Sequence, residues 1–358
     1  MLQFLIRRLL LLFPVVLGIL LVTFIITRAI PSDPCLAMLG EKATPEQCAQ
    51  FKERFGLNDN VFVQFGRYLI NVLQGNLGDS IQYKRPVIDI ISERMPMTIE
   101  LTIGAMLFSS VVGILLGLVS ALRRNSPLDV GTMMVANMGV SMPVFWLGLM
   151  LAYVFAIWFK DTPFYIPPSS RLSAGISLTP LATYWHMGDL TGISKFFITS
   201  ISNSTILNGL LTLNFPLLKD ALWHLILPCF AVGTIPLAVI ARMTRSSLLE
   251  VLGQDYIRTA RAKGLIQRLV IQRHALRNSL IPIVTIIGLE TSALLSGAVL
   301  TETVFALPGM GTAMVNAILA RDYPVIQGFT IVIAIIFVLS NLIVDISYAY
   351  LDPRIRLD

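Results

Sequence analysis

The apolar positions of this chain fall into six runs of roughly twenty residues, the length at which one helix crosses the ~30 Å hydrocarbon core of a bilayer. They cover 9–30, 99–122, 130–159, 222–241, 280–300 and 328–350. The third contains Pro143, which marks a kink, and its helix is expected to be shorter than the apolar pattern. Pro228 and Pro236 lie in the fourth, and a membrane helix tolerates them where neighbours satisfy the freed carbonyls. The first run is long for a signal-peptide core and lacks a convincing small-residue cleavage site, so it counts as a helix. Composition points the same way: 55% of the 358 residues are hydrophobic and 13% are charged, where an ordinary soluble domain carries about 25% charged residues. The pattern predicts an all-α polytopic membrane protein with six transmembrane helices.

Charge then orients those helices. Arg7 and Arg8 precede the first run, Arg123 and Arg124 close the second, and Arg354 and Arg356 follow the sixth. The connection 242–277 holds eight Lys/Arg against Glu250 and Asp255. With six helices all four basic stretches fall on one side, and basic loops mark the cytoplasm. Both termini are therefore expected there. The opposite connections are nearly balanced: seven basic and eight acidic residues in 31–98, and four and three in 160–220. The expected organisation is a first helix in 1–30, an outer helical subdomain in 31–98, and a core with the other five transmembrane helices in 99–358. That core carries an outer insert at 160–220 and a cytoplasmic loop at 242–279.

The outer segments have their own signals. Thr44 can cap a helix that opens at Pro45 and stops near Gly56. Beyond it, Phe62, Phe65, Leu69 and Leu73 recur at helical spacing. Cys35 and Cys48 share this segment and could close a short loop in an oxidising compartment; two unlinked small residues are the alternative, because spacing alone does not show that their Cβ atoms meet. Trp158 just before the insert, and Tyr165, Tyr184 and Trp185 within it, suit a membrane interface. Asn203, Ser204 and Thr205 match a glycosylation triplet by letters only.

The densest run of positive charge is "DYIRTARAKGLIQRLVIQRHALRN", 255–278. Leu248, Leu252, Tyr256 and Ala260 recur every four residues before Gly264, and Leu265, Leu269 and Leu276 share a face after it. Gly264 reads as a helix stop and a turn. Two short amphipathic helices at a corner could lie on anionic lipid. A nucleic-acid-binding helix pair is disfavoured by the tethers at both ends, and no nucleic-acid partner is expected.

"RTARAKG" at 258–264 resembles the EAA loop of the membrane subunits of bacterial ATP-binding-cassette importers, in which a short coupling helix docks on the ATPase. Arg258, Thr259 and Ala260 occupy the three naming positions, and Gly264 fits the loop's glycine. "DYIRTARAKGL" and "HALRN" are similar to the dipeptide/oligopeptide/nickel branch of that family. Further strings across nearly the whole chain resemble the first membrane subunits of its dipeptide permeases, including "GNLGDS", "SMPVFWLGLM" and "LTETVFALPGMGTAMVNAILARDYPVIQG". Two departures are Glu290, where that pattern has an uncharged glutamine, and the Cys35 and Cys48 pair.

The resemblance implies a type I importer permease fold in the bacterial cytoplasmic (inner) membrane, importing dipeptides or short peptides. The alternative cargoes are longer peptides, a nickel chelate, glutathione or haem. It implies a second homologous permease, two ATPase subunits and an external or periplasmic substrate-binding protein as partners, beside membrane lipid. It also assigns ATPase coupling to Arg258, Thr259, Ala260, Arg261, Ala262, Lys263, Gly264 and Leu265. Of these, Ala260, Ala262 and Gly264 would suit close contact, while Arg258, Arg261 and Lys263 would lie at the rim. The outer helices and the Pro308-Gly309 turn region would meet the binding protein.

No GxxxxGK[ST] phosphate loop occurs in the sequence, so ATP and Mg are expected on the partner subunits, with no catalytic residue, metal or cofactor held here. Ionisable groups within a span point to a cavity or a partner, which singles out Glu290 and Asp345 as candidates for pathway lining. A structural hydrogen bond is the alternative for Glu290 and the favoured role for Asp345. A secondary transporter would call for ion-coupling carboxylates and inverted repeats, and neither stands out. His186, His224 and His274 have no metal-site spacing to support an intramembrane enzyme.

Overall fold

The computed structural model describes residues 14–26, 35, 43–54, 58–295 and 298–351, and these are mostly helical, with no β-strand among the described residues. The helices are α1 (Pro14–Ile26), α2 (Pro45–Arg54), α3 (Val61–Leu73), α4 (Val87–Leu122), α5 (Pro127–Ser141) and α6 (Val144–Ile157). Then come α7 (Gly192–Asn203), α8 (Thr205–Leu211), α9 (Phe215–Leu252) and α10 (Asp255–Ala262). The last four are α11 (Gln267–Leu295), α12 (Val299–Val304), α13 (Met310–Leu319) and α14 (Tyr323–Leu351).

Among the described residues, α4, α9, α11 and α14 are each long and apolar enough to cross a membrane, and α5 with α6 forms a fifth crossing if the bent pair is one span. Of the first expected span only α1 is described. At 13 residues it is shorter than the ~20 that a crossing needs, and 9–13 and 27–30 lie outside the described residues.

The expected boundaries move where helix and lipid end at different places. α4 starts at Val87 rather than 99, and its 36 residues make a rod of ~54 Å, well beyond the ~30 Å of hydrocarbon. The added turns carry Asp89, Glu93 and Arg94, which hydropathy excludes but a helix accepts. α9 likewise runs past 241 to Leu252, taking Arg242 and Arg245 out of the expected loop and into the helix. Pro228 and Pro236 are buried within it. Pro143 does more than kink the third span. Met142 is held extended at φ −106 and ψ 135, as the residue before proline prefers, and α5 and α6 meet there at 99°.

α9 is the central post: 78% of its apolar core is buried, against 22% for α11. It packs along α4 at backbone distance. A Cβ on Gly117 would sit 2.6 Å from the Ala241 carbonyl oxygen, and one on Gly113 would sit 2.9 Å from that of Leu237. From the other side, a Cβ on Gly233 would come within 2.8 Å of Phe108 and Ser109. Small residues four apart let membrane helices approach this closely. Ser109 uses the approach to donate to the Gly233 carbonyl at 2.7 Å.

The segment before α4 is helical as expected. Thr44 Oγ1 accepts from the Gln47 amide at 3.3 Å and Gln47 Oε1 accepts from the Thr44 amide at 3.0 Å, a reciprocal cap on α2. Gly56 lies outside the described residues. α3 turns Phe65 and Tyr68 onto Phe24 of α1, with ring centroids 5.1 and 5.8 Å apart. The expected face is only half right: Phe62 and Leu73 are each 83% exposed, because Phe65, Tyr68, Leu69 and Val72 are the positions turned inward. Cys35 and Cys48 are joined as a disulfide, with Cα atoms 5.3 Å apart.

Candidate functional site

α10 follows α9 after only Gly253 and Gln254. Its sequence has two faces. Ile257 and Ala260 are buried in a cluster with Ala121 of α4, Leu248 of α9, and Val270 and Ala275 of α11. Arg258, Thr259, Arg261, Ala262 and Lys263 face outward. The helix ends in a complete left-handed cap. Gly264 takes φ +79, its N–H donates to Arg261 O at 2.9 Å, and the Leu265 N–H reaches Ala260 O at 3.4 Å. The Tyr256 hydroxyl accepts from Asn278 Nδ2 at 2.9 Å, which ties α10 to the start of the membrane part of α11. Between them α11 winds as a π-helix over Val270–Leu276. α10 is thus short, rigidly seated and tethered on both sides.

This geometry sorts the eight residues expected to contact an ATPase. Ala260 is turned into the chain's own core and the half-buried Leu265 packs beside it. Both contacts help to seat the helix on the bundle. The Arg258 and Asp255 side chains form a pair at 3.4 Å that is nearly all in solvent and adds little stability. Ala262 and Gly264 stay exposed, and nothing lies within 4 Å of the position where a Gly264 Cβ would be. Sequence reasoning passed over Ile266, which is 69% exposed just past the turn. An aliphatic residue outside the four-residue repeat was the available signal.

Glu290 lies on α11, half-buried, and has no hydrogen-bond or ion-pair partner among the described residues. Asp345 lies on α14, but its side chain is outside the described residues. The most buried acids among the described residues are others: Glu302, Asp322, Asp129 and Glu100. Glu100 accepts from Ser204 Oγ at 2.6 Å, Thr205 Oγ1 at 2.7 Å and the Ile206 amide at 2.8 Å. Ser204 and Thr205 of the glycosylation triplet are thereby buried on this carboxylate, while Asn203 is half-buried and donates to the Thr199 carbonyl. Asp322 accepts from Ser80 Oγ at 2.5 Å and the Gln82 amide at 3.0 Å. Glu302 accepts from Thr98 Oγ1 at 2.7 Å and the Thr312 amide at 3.0 Å. These bonds pin the turn region around Pro308 and Gly309 inward, while Ile318 and Leu319 at the far end of α13 are exposed large apolar residues. Glu100 was visible as an acid in the second apolar run; Glu302 and Asp322 sit in connections, where charge carries no signal.

Burial pushes the Glu302 carboxyl above its ordinary 4.5, against the hydrogen bonds from Thr98, Thr312 and Gly311. The folded chain therefore binds this proton to a higher pH than the unfolded chain, and stability declines as pH rises through that window. The unfolding temperature of the detergent-solubilised protein is expected to fall as pH is raised above 4.5, and Glu302→Gln is expected to flatten that slope. An unchanged slope in the variant would remove Glu302 as its source.

Among the described residues no group of His, Cys, Asp and Glu is placed to hold a metal. The four long apolar helices and the bent pair define a polytopic membrane protein, and a basic helix seated at one end of the bundle is its most distinctive surface. Residues 113–357 match the family model of the binding-protein-dependent transport system inner membrane component, and residues 1–102 match the N-terminal model of such membrane components. The chain belongs to this family of bacterial inner-membrane transport permeases.

It is 46% identical over 356 residues to the dipeptide transport system permease protein DppB of Alkalihalophilus pseudofirmus, covering 99% of this chain and 100% of the relative. Against the di/tripeptide transport system permease protein DppB of Pseudomonas aeruginosa identity is 43%, covering 99% of each. The oligopeptide transport system permease protein AppB of Bacillus subtilis is 37% identical, covering 99% of this chain and 100% of the relative.

Proposed function

We propose that this chain is one half of the translocation pathway of an ATP-driven importer for dipeptides or short peptides. The observation that carries the reading is α10: its inner residues Ile257 and Ala260 anchor it to the bundle while its basic face and Ile266 stand free. A helix held in this way can pass a partner's movement to α4, α9 and α11, which all pack against it. A loose amphipathic helix on lipid would need no such seat. The partners are two cytoplasmic ATPases that bind ATP and Mg, a second homologous permease and an external substrate-binding protein. ATP binding shifts the inward-open and outward-open populations only by its differential affinity for the two arrangements.

In this reading 9–30 completes six spans, 242–279 is cytoplasmic with both termini, and 31–98 and 160–220 face outward. The exposed Ile318 and Leu319 then belong to the surface that receives the binding protein. α11, little buried in this chain alone, faces the second permease, and the unpartnered Glu290 lines the pathway between them. The Cys35–Cys48 disulfide fits an oxidising outer compartment. Dipeptide cargo follows the more similar relatives, and longer peptides, as named for the Bacillus subtilis relative, are the next choice.

Purification from the native membrane in mild detergent tests this reading. A second permease and two ATPases are expected to accompany the chain, and vesicles containing the set should take up dialanine only with ATP and binding protein. A chain that purifies alone and conducts solute without ATP would overturn it.

A further inference from the structure

We infer that Asp129 and Arg245 are positioning residues of coupled transport, clamping the corner between α4 and α5 to α9 immediately beside the coupling helix. This rests on the coupling role proposed for α10. Asp129 lies in the first turn of α5 with its side chain 6% exposed. Arg245 grips it with both arms of the guanidinium, Nε to Oδ1 at 2.8 Å and Nη2 to Oδ2 at 2.9 Å. The same carboxylate accepts from the Asn125 amide at 2.9 Å and from the Ser120 hydroxyl. One side chain therefore joins the end of α4, the turn after it, the start of α5 and the shaft of α9. A forked arginine pair fixes orientation as well as distance.

Its location gives the clamp a use. Ser120 precedes Ala121, which packs against Ile257 and Ala260 of the coupling helix. Arg245 lies one turn before Leu248 of that cluster, on a helix that runs unbroken to Leu252. α5 stays on α9 beyond the clamp: Arg242 Nη1 reaches Asn137 Oδ1 at 3.4 Å, and a Cβ on Gly139 would meet the Thr234 Cβ at 2.5 Å. Past the 99° bend, α6 packs in a different cluster, against Leu225, Leu227 and Val232 of α9 and with Gly148 against Phe305 and Val304. A movement of α10 thus reaches α5 directly through Asp129, whereas α6 has no such clamp and is reached only through the far part of α9 and the bend. The bend at Met142 and Pro143 is where the two arms part.

The test uses the assembled transporter in vesicles with its binding protein, measuring dialanine uptake and ATP hydrolysis on the same preparation. Wild-type assembly and ATP-driven uptake are read first, and their absence would defeat the coupling role of α10 whatever the variants do. Asp129→Asn keeps the shape of the side chain but loses the charge. It is expected to hydrolyse ATP within twofold of wild type and to move at least tenfold less peptide per ATP. Arg245→Lys keeps the charge but loses the fork, and a smaller drop of at least threefold in the same ratio is expected. A wild-type ratio in either variant overturns the inference. Failure of both variants to accumulate in the membrane would assign the pair to folding alone and also overturn it.

Discussion

Gly117→Leu is expected to eliminate this permease from the membrane. The Cβ would lie 2.6 Å from both the Ala241 carbonyl oxygen and the Thr244 Cβ, and the oxygen belongs to a helix backbone that cannot rotate aside. Ordinary overpacking costs about 1–3 kcal/mol, but here α4 and α9 must separate along a contact that also holds Gly113, Gly233 and the Ser109 hydrogen bond. Quantitative immunoblotting of membranes should find less than a tenth of the wild-type amount and no uptake. The matched control is Gly131→Leu on α5, where nothing lies within 4 Å of the added Cβ; its level should stay within twofold. Equal accumulation of the two variants would mean that the α4–α9 contact does not depend on the missing side chain.

The second large effect is expected at Gly264, with the opposite division between presence and activity. Gly264→Phe puts a side chain where φ is +79 and no atom of this chain lies within 4 Å. The left-handed conformation costs roughly 1–2 kcal/mol, too little to unfold a helix held by Ile257 and Ala260. The ring projects from the corner into whatever docks there. Uptake should fall more than tenfold while the membrane level stays above half of wild type. Gly264→Asn is the informative companion, because asparagine tolerates the left-handed region; it should retain most uptake. Wild-type uptake by Gly264→Phe would detach this corner from the coupling role.

How much of this was legible in the sequence depends on whether a feature is local. The helical turn at Gly264 and the cap at Thr44 follow from a few neighbouring residues and lie where the pattern put them. Apolar runs located α4, α9, α11 and α14 but missed their ends, because hydropathy records where lipid stops and says nothing of polar turns that remain helical. The Pro143 break was underestimated as a kink, since one residue gives no measure of angle. Ala260 illustrates the harder limit. A small residue suits a close contact on either side of a helix, and only Ala121, Leu248 and Val270 closing over it decide which side. Glu302 and Asp322 were invisible for a related reason: their partners Thr98 and Ser80 are separated from them by 204 and 242 residues.

Those separations bear on how the protein is made. Glu100 enters the bilayer region early, yet its partners at Ser204 and Thr205 come 104 and 105 residues later. At translation rates of about 5–20 residues per second, that is a wait of roughly 5–20 s with a bare acid in the growing chain. Thr98 waits longer for Glu302, and Ser80 longer still for Asp322. The insertion machinery is therefore expected to shelter this part of the nascent polypeptide until its partners emerge. Completion of the bundle is consequently a late event, and a ribosome that stalls before Asp322 leaves the Ser80 hydroxyl and the Gln82 amide without the carboxylate that joins them.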